Sequence, residues 1–161
     1  VERRESLPPR LAARVQVRGE ERQVMVCREG EAGARREIVL TQDDVRQVQL
    51  AKGAIASGIA MLQHVAGVRT EDVAEVLLAG GFGNYISIAS ALRIGLLPPL
   101  PPSRVRYVGN AASLGAQLCL LSEAERAKTP MLAARMEHVS LAGHPDFEQI
   151  FVDCMNFPPR S

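Results

Sequence analysis

Apolar residues recur at helical spacing through Val45, Val48, Ala51, Ile55, Ile59, Leu62 and Val65, which predicts a long helix of about seven turns ending near Gly67. Thr41 stands where an N-cap hydroxyl is wanted, and Asp44 follows three residues on as its reciprocal partner. Gly53 and Gly58 lie inside this helix, where each costs up to about 1 kcal/mol relative to Ala, so their expected use is close packing against another element. Ahead of it, Val15 to Val17, Val24 to Cys27 and Glu37 to Leu40 alternate or run apolar, with Gly19 and the Gly30 to Gly33 region between them. That pattern predicts an antiparallel meander.

Beyond the helix, Glu75 to Ala79 form an apolar strand that feeds straight into Gly80-Gly81-Phe82-Gly83. Ser87 to Arg93 predict a helix stopped at Gly95 and closed by Pro98, Pro99, Pro101 and Pro102. Arg104 to Val108 form another strand, after which Gly109-Asn110 opens a helix of small residues, Ala111 to Leu121. Its Ala and Gly face permits very close approach to a sheet. Ser122 and Glu125 cap a helix running to about Met136, His138 to Leu141 form a last strand, and Pro145 starts a terminal helix through Met155. The alternation of strands and helices predicts an α/β fold, a mixed sheet with helices on both faces. Residues 1–14 are charged and Pro-rich and do not begin with Met. They are expected to be a linker or the end of a preceding segment, with one globular piece over 15–161 cut from a longer polypeptide.

Composition narrows the function. With 161 residues, 47% of them hydrophobic, the chain is long enough for one sizeable core. A net charge of +1 leaves no overall field to attract nucleic acid or an anionic membrane. Cys27, Cys119 and Cys154 are odd in number and widely spaced, which fits neither a disulfide framework nor a paired-cysteine metal site. No stretch is long and apolar enough to span a bilayer, so a cytoplasmic protein is expected.

The glycines carry the candidate chemistry. At Gly80, Gly81 and Gly83 the absence of a Cβ permits positive φ and lets a ligand approach the backbone, although a tight strand-to-helix connection with no ligand is the alternative. A dinucleotide fingerprint would need glycine where Ile86 stands and an acidic residue near Ser103 or Arg104, and a phosphate loop ending in Gly-Lys-Ser/Thr is absent. His64, His138 and His144 lack metal-ligand spacing, Ser87, Ser90 and Ser113 lack a nucleophile elbow, and Cys119 suits a core position. No catalytic residue and no metal ligand are therefore assigned. Gln49 and Lys52 lie three residues apart on one helix face, and a solvated helix lysine is the alternative for Lys52.

Taken in order, the long helix, the Gly-Gly turn and the later small-residue helix with Gly115-Ala116 resemble the second half of the actin-like (ribonuclease H-like) ATPase fold. The segments TQDDVRQVQLAKGAI, LLAGGFGNYI, LRIGLLP, VGNAASLGA and FEQIFVDCMNFP resemble more closely the C-terminal region of the reductive activators of corrinoid proteins. These are iron–sulfur ATPases, and the likeness covers about residues 36 to 158. By that resemblance Gly80, Gly81, Phe82 and Gly83 line adenine and ribose, with Lys52 and Gln49 reaching the ribose from the helix. The resemblance implies ATP and Mg in the complete domain, a two-iron ferredoxin-type cluster in a preceding domain, and a corrinoid protein of a methyltransferase system as partner. The remaining half of the ATPase domain is a second implied partner, and a homodimer is left open. Neither a four-cysteine motif nor an Asp-Gly-Thr phosphate loop is present, so this chain alone is expected not to hydrolyse ATP. A subdomain of an actin-fold sugar or acyl kinase and a non-catalytic interaction module of the same fold are the competing readings.

Overall fold

The computed structural model describes residues 8–19, 21–81, 85–141 and 143–159, which form two compact units, Val1–Ala51 and Lys52–Ser161. In the first, β1 (Val15–Arg18), β2 (Glu21–Cys27) and β3 (Ile38–Thr41) make the expected antiparallel meander in the order β1-β2-β3. Val24 faces Val15 on one side and Leu40 on the other. On β2 the buried positions alternate as a strand requires: Met25 is covered, and so is Gln23, whose amide donates to the Gln16 side chain at 2.9 Å. Helical structure precedes β1. A single turn, α1 (Pro9–Ala12), starts on Pro9, and the Arg14 guanidinium donates to the Val26 carbonyl at 2.6 Å.

The helix α2 (Gln42–Ala66) starts as the sequence predicts. The Thr41 amide donates to the Asp44 carboxylate at 2.8 Å while the Asp44 amide donates to the Thr41 hydroxyl at 3.1 Å, a reciprocal cap that holds the Asp44 carboxyl below its ordinary range. The close packing expected at its glycines is present. Lys52, Gly53, Ser57 and Met61 are covered, whereas Ile55, Leu62 and Val65 are exposed. The reason lies in the glycines. A Cβ on Gly53 would stand 3.0 Å from Met155 Cγ and one on Gly58 3.7 Å from Leu141 Cδ1, so Met155 and Leu141 seat on the small-residue row.

In the second unit, β4 (Val76–Ala79) and β5 (Val105–Gly109) pair in parallel, as a separate two-stranded sheet. Among the described residues one sheet is antiparallel and the other parallel, the mixed α/β content that the sequence predicts. Between the two strands, α3 (Ile88–Arg93) is capped by Ser87, whose hydroxyl accepts from the Ser90 amide at 3.3 Å. Ala91, Leu97 and Val105 form the core here, with Ile59 of α2, Val76, Leu78, Ile86 and Ile88 packed on them. Arg104 donates to the carbonyls of Glu71 and Val73, and Arg106 pairs with Glu75, fastening the start of β5 to the entry of β4.

α4 (Ala111–Leu121) and α5 (Glu123–Ala133) follow, capped by Asn110 and Ser122. Pro130 stands inside α5 and cannot bond the Arg126 carbonyl, which instead accepts from the Thr129 hydroxyl at 2.8 Å. The close approach that the small face of α4 permits is not used at Gly115: among the described residues nothing lies within 4 Å of a Cβ placed there, and α4 buries no residue. His138 to Leu141 form no strand; the segment runs irregularly and Leu141 lies along α2, which the same spacing of apolar residues serves equally well. The terminal helix α6 (Phe147–Met155) is preceded by Asp146, which lies 3.5 Å from His64 Nε2 and 3.8 Å from His144 Nδ1.

Candidate nucleotide site at the carboxyl ends of the parallel strands

Both parallel strands end on glycines in left-handed conformation, Gly80 at φ +87° and Gly109 at φ +65°. They are joined directly: the Gly80 amide donates to the Gly109 carbonyl at 2.8 Å. A register shift makes this possible, since Leu78 faces Tyr107 but Ala79 faces Gly109, so Val108 bulges out of the ladder. From this junction the chain leaves in two directions, through Gly81 towards α3 and through Asn110 into α4. The Asn110 side chain accepts from the Ser113 amide at 3.1 Å. The carboxyl ends of parallel strands are where open α/β sheets take their ligands, because loops diverge there and leave room. Among the described residues, chain neighbours aside, no atom stands within 4 Å of a Cβ built on Gly80, Gly81 or Gly109. The room is present on each.

Of the residues singled out by sequence, Gly80 and Gly81 lie at this edge, while Phe82 and Gly83 fall outside the described residues. Only Gly80 of the described pair needs positive φ; Gly81 does not, so its contribution is open approach alone. Tyr85, 89% exposed, follows the turn, and the Tyr107 hydroxyl donates to the Ile86 carbonyl, anchoring the way out to β5. Gly109 is the site residue that sequence reasoning did not assign. Its signal was present, a glycine ending a second strand before a capped helix, but only strand pairing shows that it bonds Gly80.

Lys52 stands elsewhere in the second unit and Gln49, half-buried, in the first. The solvated lysine expected as the alternative is overturned, for Lys52 is only 4% exposed. Its ammonium donates to the Asn156 carbonyl at 2.5 Å and lies 5.7 Å from the centroid of the Phe157 ring. Burial holds it below the ordinary lysine range, and burial likewise pushes the nearby Cys154 thiol up. The aliphatic stem of a helix lysine can be covered while its ammonium reaches a polar partner, which accounts for the position.

No helix among the described residues is long and apolar enough to cross a membrane. The whole chain, residues 1–161, matches the family model described as the C-terminal domain of RACo, the ASKHA domain. It is 42% identical over 123 residues to the corrinoid activation enzyme RamQ of Eubacterium limosum, an alignment covering 76% of this chain and 21% of that protein. A solved structure of a reductive activator for corrinoid, iron–sulfur protein superposes with a TM-score of 0.77 at 28% identity over 98% of this chain and 25% of its own. The chain thus spans about a fifth of the curated relative and a quarter of the solved one. Fold, motif order and overall match agree, and the chain belongs to the family of the RACo C-terminal ASKHA domain, an actin-like ATPase fold.

Proposed function

We propose that this chain is the adenosine-side part of an ATP-dependent reductive activator, which restores Co(I) in a corrinoid protein by electron transfer coupled to ATP hydrolysis. The observation that carries the reading is the junction of Gly80 and Gly109 at the carboxyl edge of β4 and β5, open where a Cβ would stand, within a chain of this family. Gly80 and Gly81, with Phe82 and Gly83 beyond the described residues, offer main chain to adenine and ribose. Gln49 enters as a weaker candidate from α2. Lys52 contributes to the ribose only if its ammonium leaves the Asn156 carbonyl.

Phosphoryl chemistry needs a metal and cationic groups arranged around the transferred group, and these belong to the other half of the ATPase domain, which supplies the phosphate loops and holds Mg. The two-iron cluster of a ferredoxin-type domain supplies the electron. The exposed apolar side chains of α4 and α5, Leu114, Leu118, Leu121, Met131 and Leu132, suit burial by that other half. The protein works in the cytoplasm, with a corrinoid protein of a methyltransferase system as partner and a homodimer as one assembly open to it.

The test uses the complete protein with its cluster reduced. Conversion of the partner's Co(II) spectrum to that of Co(I) only when ATP and magnesium are present supports the proposal, and ATP turnover is expected to rise when the Co(II) partner binds. Rapid phosphorylation of a sugar or carboxylic acid without any corrinoid protein would replace it with the kinase reading.

A further inference from the structure

The end of α6 and the residues after it pass over α2 and the end of α3 on seats that glycines keep open. Met155 Cγ lies 3.0 Å from where a Cβ on Gly53 would stand, and Pro158 Cγ and Cδ lie 2.9 and 3.1 Å from where one on Gly95 would stand. Gly95, at φ +69°, closes α3. Lys52 sits between these two seats, its Nζ 3.3 Å from the same Gly95 position. The ammonium has no carboxylate partner among the described residues, so its hydrogen bond to the main chain offsets part of the cost of its burial. Its bond goes to the main chain of Asn156, at the extended residue that ends α6 (φ −69°, ψ +143°). Asn156, Phe157 and Pro158 are themselves exposed, so little else holds them down.

We propose that Lys52 is a positioning residue: it latches the strap Met155–Pro158 across α2 and onto Gly95, and thereby fixes α3, the helix that grows out of the glycine turn. α3 spans only Ile88–Arg93, and its N-terminal side is already tied to β5 through Tyr107 and Ile86. Its C-terminal side is tied by Pro158 on Gly95. The strap thus completes a two-point fastening of the element that leaves the candidate site.

The device predicts behaviour that a ribose-contacting lysine does not share. Amide hydrogen exchange is followed on the full chain for the parent, for Lys52→Met, and for a Phe157→Ser/Pro158→Ser double variant that leaves Lys52 in place and alters only exposed residues. A latch gives exchange faster by roughly tenfold or more at Leu92–Leu97 in both variants, with β1–β3 unchanged. Unchanged protection at Leu92–Leu97, or loss spread evenly over both units, overturns it. A second arm rests on the nucleotide reading and is measured in the complete protein by ADP and adenosine titration. A latch weakens both ligands by a similar factor in both variants. Loss in Lys52→Met with parent-like affinity in the double variant makes Lys52 a ligand and overturns the latch. No measurable ADP binding by the parent would defeat the nucleotide reading while the exchange arm still decides the strap.

Discussion

Two helices of this chain carry glycine among small and aliphatic residues, and they put it to opposite use. In α2, Gly53 and Gly58 receive Met155 and Leu141, and the row they belong to, with Ser57 and Met61, is the buried face. In α4, a Cβ on Gly115 would meet nothing within 4 Å among the described residues, and Leu114, Leu118, Leu120 and Leu121 are all exposed. The same sequence signal therefore marks a contact made in one helix and, among the described residues, an open surface in the other. A small-residue face says how closely a neighbour can come; it does not say which chain segment the neighbour is on.

The contrast breaks most readily at Met61, which is fully buried. Met61→Ala is expected to cost about 2–5 kcal/mol in urea unfolding of the chain, whereas Leu121→Ala at 87% exposure should stay within about 0.5 kcal/mol. A comparable loss at Leu121 would mean that α4 is covered within the chain after all. Next in size, Gly53→Val should cost about 1–3 kcal/mol by overpacking against Met155, while Gly115→Ala should gain up to about 1 kcal/mol through helix propensity alone. In the complete protein the gain at Gly115 should vanish or reverse if another part of the ATPase domain packs there.

A smaller effect reads the burial of Lys52. Its ammonium is held below the ordinary lysine range, so on going from neutral to alkaline pH the unfolded chain keeps the proton after the folded chain has released it, and stability rises. Cys154 acts in the opposite sense, because its raised thiol value leaves the folded chain protonated while the unfolded one ionises. In a Cys154→Ala background the alkaline gain should be present with Lys52 and absent in Lys52→Met, as read from urea midpoints. Smallest of all is the acid limb. Glu75, held low by Arg106, and Asp44, held low by Thr41, contribute above the carboxylate range and lose that contribution as pH falls. Both are exposed, so Glu75→Gln should flatten the acid limb only slightly, and less at high salt.

Much of this architecture was legible in the sequence for local reasons. Thr41 with Asp44, Ser87, Asn110 and Ser122 announce helix starts because capping chemistry is confined to a few residues, and each of these caps is formed. The glycine turn was legible as well, and Gly80 does adopt the conformation that favours glycine. What escaped depends on partners distant in sequence. The strand expected at His138 to Leu141 lies along α2 instead, the buried stripe of α2 is set by Met155 and Leu141, and Lys52 is engaged by Asn156 over a separation that no local pattern encodes. Gly109 belongs with these: its helix cap was readable, its bond to Gly80 was not.

The central claim, that the open glycine junction at the ends of β4 and β5 takes the adenosine part of a nucleotide, is tested most directly by calorimetric ATP titration of the complete protein carrying Gly80→Val. At φ +87° a β-branched residue is strained, and its side chain fills the space that now stands open. The account predicts loss of ATP binding in a variant that stays folded, with Gly115→Ala binding as the parent does. Parent-like ATP affinity in folded Gly80→Val would contradict it and leave the turn as a strand-to-helix connection.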